Sequence, residues 1–433
     1  MRYTPAGNTR FSSWILFLML ACLLSDHARA GGATLYDDGS PDSGHAIAGR
    51  FALAADACTA IHNPAGLTLL SGTQTLVAAQ PLLSSVEFEV GAATSTALGS
   101  GDGGDAGGLV PVATLCSARS IGGNGDLKFG FGVGGLAGSA IEFDADWVGR
   151  YYLTELEFNA LAVGASVGYR VNDTLSIGGG IFVGNGVYKQ KAAINNLLDA
   201  IPDGELEIDD TAFGFAAGLG LLIEPTDRTR FGVTYTSEMD LDFEDVLTVR
   251  GVGPLLQAAI DVAGLTDSKL DFSLTLPQKA FFSWYHDVSD RLALMGNVGW
   301  EDYSEFGLID VSIVNETVTN TTASLLLEDT EHVAFGARLR IGKPWIFSTG
   351  VAYDSSAVSV ADRSPVLPID RQARISVGLE RTRDSGNSWA VTLSYIDLGS
   401  ARFDVERGPL AGRVQGEFDT NAVVVTGFSW QWR

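Results

Sequence analysis

The chain has 433 residues, of which 52 are glycine and 13 are proline, and it carries a formal net charge of −24 at pH 7. This excess of acid, without a basic patch to neutralise phosphates, excludes nucleic acid as a partner. Glycine at this frequency and without a collagen-like period disfavours long helices, whereas it suits strands that twist and pack closely.

The segment 1–30 has the pattern of a secretory signal peptide. Two arginines precede an apolar run at 11–24, and an Ala-Arg-Ala sequence at 28–30 supplies the small residues of a cleavage site. We therefore expect the mature protein to begin at Gly31. A lipoprotein acylated at Cys22 is the alternative, although the residues before this cysteine fit a lipoprotein signal poorly.

Residues 31–72 separate the signal from the first alternating run of the chain, and they contain the compact sequence DACTAIHNPAGL at 56–67. Cys58 and Cys116 are the two cysteines that remain after cleavage. An exported protein meets an oxidising compartment, so a disulfide between these cysteines is permitted. Two buried, unpaired thiols are an equally good interpretation of the sequence.

Beyond the signal, the sequence has no second apolar stretch long enough to predict a membrane-spanning helix. Mean hydropathy is nonetheless positive, at +0.16. Near the end of the chain, Trp389, Val391, Leu393 and Tyr395 alternate with small or polar residues. An exported chain that is apolar on average and alternates with period two is typical of a transmembrane β-barrel, with one face on lipid and the other on a lumen.

The same alternation recurs in fourteen runs, which are joined alternately by short polar turns and by long loops. Outer-membrane barrels place the short turns in the periplasm and the long loops outside. We therefore predict an all-β fold, a 14-stranded antiparallel transmembrane β-barrel over residues 73–433, in the outer membrane of a Gram-negative bacterium. The runs lie near residues 74–90, 108–120, 126–140, 156–170, 174–190, 211–223, 229–241, 270–286, 290–302, 330–341, 345–355, 371–382, 387–397 and 417–432.

Five stretches of the chain are informative about its family: GHAIAGRFALAADA at 44–57, NPAGL at 63–67, DWVGRY at 146–151, YRVNDTLSIG at 169–178 and PVLPIDR at 365–371. These stretches resemble the FadL/TodX family of outer-membrane transporters for long-chain fatty acids and other hydrophobic compounds. The resemblance implies that residues 31–72 fold inside the barrel as a hatch, and that Asn63, Pro64 and Ala65 belong to this plug. An ordinary turn leading into the first strand is the alternative interpretation of these three residues.

The third predicted strand contains the adjacent pair Gly134 and Gly135, which breaks its period-two spacing. Glycine permits a bulge or kink that other residues resist. In the family, ligand is thought to leave sideways through a gap at a kinked third strand. The resemblance therefore implies that Gly134 and Gly135 form a lateral gate. The alternative is that these two glycines only allow close packing between neighbouring strands.

Two further features are candidates for ligand binding. Residues 254–264 predict a short helix that begins at a proline and carries Leu255, Leu256 and Ile260 on an apolar surface. This surface would cover the lumen or capture ligand, and packing on neighbouring loops explains it equally well. Arg150, within DWVGRY, could pair with a carboxylate ligand, although a structural salt bridge is the interpretation that we favour.

Together these inferences predict a transport protein that captures a hydrophobic ligand such as a fatty acid, holds it in an apolar pocket and releases it sideways into the membrane. The other expected partners are outer-membrane lipid, lipopolysaccharide and the barrel-assembly machinery, and neither a cofactor nor a metal is expected. A general diffusion porin for small polar solutes is the alternative function. An enzyme is not expected, because the sequence has neither a GxSxG elbow nor an HExxH motif. The histidines beyond the signal stand in separate segments, at His45, His62, His286 and His332.

Overall fold

The computed structural model describes residues 38–121, 125–196, 201–246, 248–262, 269–306, 308–314, 319–324, 327–365, 367–406 and 408–433. The predicted signal peptide, 1–30, lies outside these ranges.

In the described part, fourteen antiparallel strands pair in chain order and the last pairs with the first, which closes the sheet into a barrel. The predicted fold class is therefore confirmed. The barrel strands are β1 (Thr73–Val90), β2 (Leu109–Ile121), β3 (Leu127–Glu142), β4 (Glu155–Arg170), β5 (Leu175–Ile194), β6 (Gly204–Thr226), β7 (Thr229–Thr236), β8 (Lys279–Asp287), β9 (Leu292–Glu301), β10 (Thr330–Gly342), β11 (Trp345–Asp354), β12 (Gln372–Thr382), β13 (Ser388–Asp397) and β14 (Arg413–Trp432).

Alternation along each strand separates a lipid face from a lumen face. In β13, the side chains of Val391, Leu393 and Tyr395 are 47–49% exposed, whereas Thr392 and Ser394 between them are buried. Successive strand residues point to opposite faces, so the apolar set contacts lipid while the hydroxyl-bearing set fills the interior.

Two barrel strands are shorter than the sequence pattern predicts. β7 ends at Thr236 rather than near 241, and β8 begins at Lys279 rather than near 270. Pro277 interrupts the second run, and because proline has no N–H to donate to a ladder, the barrel strand begins after it. The neighbouring residues form a separate four-stranded antiparallel sheet made of Met239–Val246, Lys269–Leu276, Leu308–Val314 and Thr319–Ser324.

The remaining elements of the described part are short. Thr248–Arg250 pairs with β6, and Ala401–Glu406 pairs with β14. None of the described helices is long and apolar enough to cross a membrane. The α-helices are α1 (Arg50–Leu53), α2 (Thr59–His62), α3 (Pro254–Val262), α4 (Tyr303–Phe306) and α5 (Gly408–Ala411), and the 3-10 helices are Pro41–His45, Pro64–Leu69 and Thr96–Leu98.

Residues 38–70 contact the barrel wall on all sides. The helix Pro41–His45 contacts β10–β13, α1 contacts β7 and β8, α2 contacts β2–β4, and the helix Pro64–Leu69 contacts β3–β6. Strands on opposite sides of a ring can share one segment only when that segment lies in the bore. The approach is closest at Gly232 of β7, where a β-carbon would lie 2.0 Å from the carbonyl oxygen of Phe51, so no larger residue fits.

Candidate functional site

The barrel wall opens between β2 and β3. Their ladder ends at the pair Leu115 and Val133. Beyond this pair, β2 remains paired with β1 as far as Leu109, and β3 remains paired with β4 as far as Glu142. Each strand therefore presents an unpaired edge to the other, from residue 114 of β2 and residue 134 of β3 onwards.

A bulge in β3 lies next to this opening. Gly135 pairs with Leu161 of β4 and Ala137 pairs with the next residue, Ala160, so Leu136 is an extra residue in the strand. A bulge bends its strand and increases the local twist, which turns the edge of β3 away from β2. Gly134 and Gly135, the predicted gate residues, thus lie where the ladder has just ended.

A cavity of about 820 Å³, part of it open to solvent, lies between the bulge and the segment 38–70. Its lining is mainly apolar and includes Leu136, Phe182 and Phe281 of the wall, and Phe51 and Ile61 of the segment. A second cavity, of about 450 Å³, continues from Leu136 and Phe182 towards the four-stranded sheet.

Lys279, the first residue of β8, lines both cavities. Within the described part of the chain, its ammonium group makes neither a hydrogen bond nor an ion pair. Glu301 lies opposite Lys279 in the β8–β9 ladder, but no contact within 4.0 Å joins the two charges. A cation held on an apolar wall without a partner favours a ligand with an anionic group.

The segment 38–70 contributes a charged cluster to the other side of the first cavity. The Arg50 guanidinium donates to Asp42 at 2.5 and 2.7 Å, and it lies 3.4 Å from Asp38. The imidazole of His62 lies 2.8 Å from the second carboxylate oxygen of Asp38. Burial raises the pKa of Asp38, but the charges of Arg50 and His62 outweigh it and hold that pKa well below its ordinary value.

Asp56 lies in the same buried region, but its pKa is shifted in the opposite direction to that of Asp38. Burial, together with the negative charges of Asp42 and Asp38, raises the pKa of Asp56 to about 7. Its Oδ1 accepts a hydrogen bond from the amide of Cys58 at 2.8 Å. The carboxyl is therefore partly protonated at neutral pH.

Asp56→Asn is expected to stabilise the protein at pH 8 and to change little near pH 4. The folded state binds the proton more tightly than the unfolded state, so stability is lost as the pH rises from the ordinary pKa of 3.8 to about 7. Asparagine removes this loss and keeps an acceptor for the Cys58 amide. The expected gain at pH 8 is roughly 1 to 4 kcal/mol in the free energy of unfolding, measured in urea with the protein in micelles.

Asp38→Asn is the matched comparison, because the pKa of Asp38 is lowered. The stability that this group contributes is present at neutral pH and is lost in acid, so its substitution is expected to destabilise the protein at pH 8. Destabilisation by both substitutions at pH 8 would contradict the assignment for Asp56.

The motif Asn63, Pro64 and Ala65 joins three parts of the molecule. The amide oxygen of Asn63 accepts from the backbone N–H of Ala65 at 3.2 Å. Its amide nitrogen donates to the carbonyl of Phe51 at 2.6 Å and to that of Leu221 in β6 at 3.2 Å. Asn63 therefore ties the turn to α1 and to the barrel wall.

The other predicted ligand contacts lie away from the cavities. The guanidinium of Arg150 binds Asp203 at 3.0 Å, the carbonyls of Leu98 and Trp147, and the hydroxyl of Tyr151, which is the structural role that the sequence favours. Leu255 and Leu256 of α3 line neither cavity; Leu255 is exposed and Leu256 is half-buried. The side chain of Ile260, the third residue predicted in this helix, lies outside the described part.

Cys58 and Cys116 form a disulfide, the first of the two arrangements that the sequence permits. Lys279, Ile61 and the charged cluster around Arg50 were not among the residues predicted from the sequence. Pro277 was a signal for Lys279, since a proline inside a predicted run marks a new strand start. No local pattern marks the others, because the cavity that they line forms only when the segment enters the barrel.

A model of the family described as "Outer membrane protein transport protein (OMPP1/FadL/TodX)" matches residues 21–431. The long-chain fatty acid transport protein of Escherichia coli O6:H1 is 23% identical over 95% of this chain and 96% of its own length. Outer membrane protein P1 of Haemophilus influenzae is 24% identical over 82% of this chain and 83% of its own. The crystal structure of a Pseudomonas aeruginosa FadL homologue has a TM-score of 0.83 at 19% identity, covering 93% of this chain and 99% of the other. The Pseudomonas putida toluene transporter TodX has a TM-score of 0.65 at 13% identity, covering 87% and 93%.

Proposed function

Because the chain belongs to the outer membrane protein transport family OMPP1/FadL/TodX, we propose that it carries long-chain fatty acids into the outer membrane through the cavity beside β3. As a member of this family, it is an outer-membrane transporter of fatty acids or other hydrophobic compounds. The choice of fatty acids within that group is supported by the resemblance to long-chain fatty acid transport proteins.

The observation that carries this choice is the environment of Lys279. A fatty acid has an alkyl chain that gains about 0.8 kcal/mol for each methylene leaving water, and a carboxylate that seeks a cation. The cavity next to the bulge offers apolar walls and one unpaired ammonium group. A neutral aromatic hydrocarbon would use the walls but would leave the ammonium group without a partner.

Ligand enters from the side of the long loops, where α3 with Leu255, Leu256 and Ile260 captures it from lipopolysaccharide and water. It then passes to the cavity and leaves between β2 and β3, past Gly134 and Gly135, into the surrounding lipid. Lateral exit needs no energy source, because the alkyl chain stays out of water and moves down its partition gradient. Like other outer-membrane barrels, the chain depends on the barrel-assembly machinery for insertion.

The predicted hatch spans residues 31–72, of which 31–37 lie outside the described residues. In this proposal its described part serves as the hatch, and residues 38–70 contact the wall. Asp38, Asp42 and Arg50 are buried charges in the bore, and an alkyl chain moving along the bore axis would have to displace them. The same segment obstructs the path that a polar solute would follow through a porin.

Uptake of radiolabelled oleate tests the proposal in a Gram-negative strain that lacks its own long-chain fatty acid transporter. Expression of this chain is expected to raise uptake about tenfold or more over the empty vector, because barrier crossing is otherwise slow. Liposomes that contain the purified protein should exclude a labelled monosaccharide. Sugar flux with oleate uptake at the background level would instead identify a diffusion porin.

A further inference from the structure

The segment in the bore is covalently attached to the wall at the base of the lateral opening. The disulfide joins Cys58, directly before α2, to Cys116 of β2, with the two Cα atoms 5.0 Å apart. Cys116 pairs with Gly132 of β3, and the next pair, Leu115 with Val133, is the last in the ladder. The attachment point therefore lies one residue from the place where β2 and β3 separate.

Ile61 is held at this place by its connection to Cys58. Its amide donates to the carbonyl of Cys58 at 2.9 Å, which makes one turn of helix between the disulfide and Ile61. A β-carbon at Gly132 would lie 2.5 Å from Cγ2 of Ile61, and one at Gly134 would lie 3.7 Å from Cδ1. The side chain of Ile61 thus extends along the lumen face of β3 from the last paired residues to the first unpaired one.

The side chain of Ile61 also lines the cavity of about 820 Å³, together with Gly134, Gly135 and Leu136. Ile61 therefore stands where the cavity meets the opening. On the other edge of the opening, Thr114 of β2 is fully buried, and its Oγ1 lies 3.5 Å from the β-carbon position of Gly134. This hydroxyl has no hydrogen bond within the described structure. A buried hydroxyl without a hydrogen-bond partner costs free energy. The contact between Thr114 and Gly134 therefore stabilises the two strand edges less than a hydrogen-bonded ladder pair would.

We propose that Ile61 is the side chain that closes the lateral opening, and that the Cys58–Cys116 disulfide holds it in that position. The proposal rests on the lateral release described above. It assigns the disulfide a mechanical role, since α2 cannot leave the base of the opening while the bond is intact. Ligand then leaves when Ile61 moves aside, and the rest of the segment stays in the bore.

Release of a bound fluorescent fatty acid, cis-parinarate, tests this role with the protein in lipid vesicles. Ile61→Ala is expected to speed transfer to acceptor vesicles about fivefold or more, because the shortened side chain no longer covers Gly134. Ile61→Phe is expected to slow transfer by a similar factor. Folding of each variant is checked by its heat-modifiable migration on gels.

Leu67→Ala is the matched control. Leu67 is equally part of the segment in the bore, and it also packs on β3, with Cδ2 at 3.0 Å from the β-carbon position of Gly130. Gly130, however, pairs with Ala118 within the intact ladder, away from the opening. Loosening the segment at Leu67 should leave the release rate within about twofold of the unaltered protein.

A double-mutant cycle tests the part played by the disulfide. Replacing Cys58 and Cys116 together by serine should also speed release about fivefold. Adding Ile61→Ala to this pair should produce no further acceleration beyond about twofold, because both changes remove the same closed contact. Additive effects would overturn the role of the disulfide, and an equal effect of Ile61→Ala and Leu67→Ala would overturn that of Ile61. Absence of cis-parinarate transfer by the unaltered protein would instead overturn the proposed function, and this inference with it.

Discussion

A chain that lacks Leu136 is expected to bind fatty acid but to fail in uptake, with oleate accumulation falling to the level of the empty vector. Leu136 is the extra residue between Gly135, which pairs with Leu161, and Ala137, which pairs with Ala160. Its deletion makes Gly135 and Ala137 adjacent and keeps both in register with β4. The bend in β3 is then lost, and the straightened edge can continue its ladder with β2 beyond Val133.

Binding and uptake must be measured separately for this variant. Quenching of a fluorescent fatty acid reports binding to the cavity in micelles, and labelled oleate reports uptake in cells. Leu136→Ala is the control, because it removes the side chain from the cavity lining while it keeps the residue count and the bulge, so it is expected to weaken binding but to keep uptake above the level of the empty vector. A folded deletion variant that transports oleate at the normal rate would show that ligand does not leave between β2 and β3.

Lys279→Met is expected to weaken fatty acid binding by about 10- to 100-fold and to leave the affinity for toluene unchanged. A hydrogen bond to a charged group contributes about 1.5 to 3 kcal/mol, and the loss appears only for a ligand with a carboxylate. Methionine keeps most of the length and apolar surface of lysine, so the shape of the cavity is preserved. Lys279→Glu should reduce binding further, since it places like charges together.

Lys343→Met is the matched control for this prediction. Lys343 is exposed in the short turn between β10 and β11, distant in the fold from both cavities, and its substitution removes the same charge from the protein. Titration of each variant with a fatty acid and with toluene gives two dissociation constants to compare. Equal losses for both ligands would mean that Lys279 supports the cavity structurally, and no loss for either would remove the basis for preferring fatty acids.

The sequence by itself determined the class of fold and the number of strands. A period of two is a local property, because each residue turns the side chain to the opposite face, and it is readable in a run such as 388–395 without knowledge of any partner strand. Turn and loop lengths then determine the order of the strands in the barrel. Family-specific stretches such as NPAGL add the identity of the transporter class, although they reveal nothing about which wall residues they will meet.

Only the tertiary structure decided how the candidate site is assembled. Lys279, Phe51 and Leu136 are far apart in the chain, and they line one cavity because the segment 38–70 enters a closed ring. Likewise, the choice between a disulfide and two free thiols depended on where α2 meets β2. A family-like stretch does not by itself identify a ligand-binding residue. Arg150 lies in such a stretch, yet its guanidinium donates hydrogen bonds to Asp203 and to a nearby carbonyl. Pairing between distant segments depends on register and closure, and no local period in the amino-acid order encodes either of them.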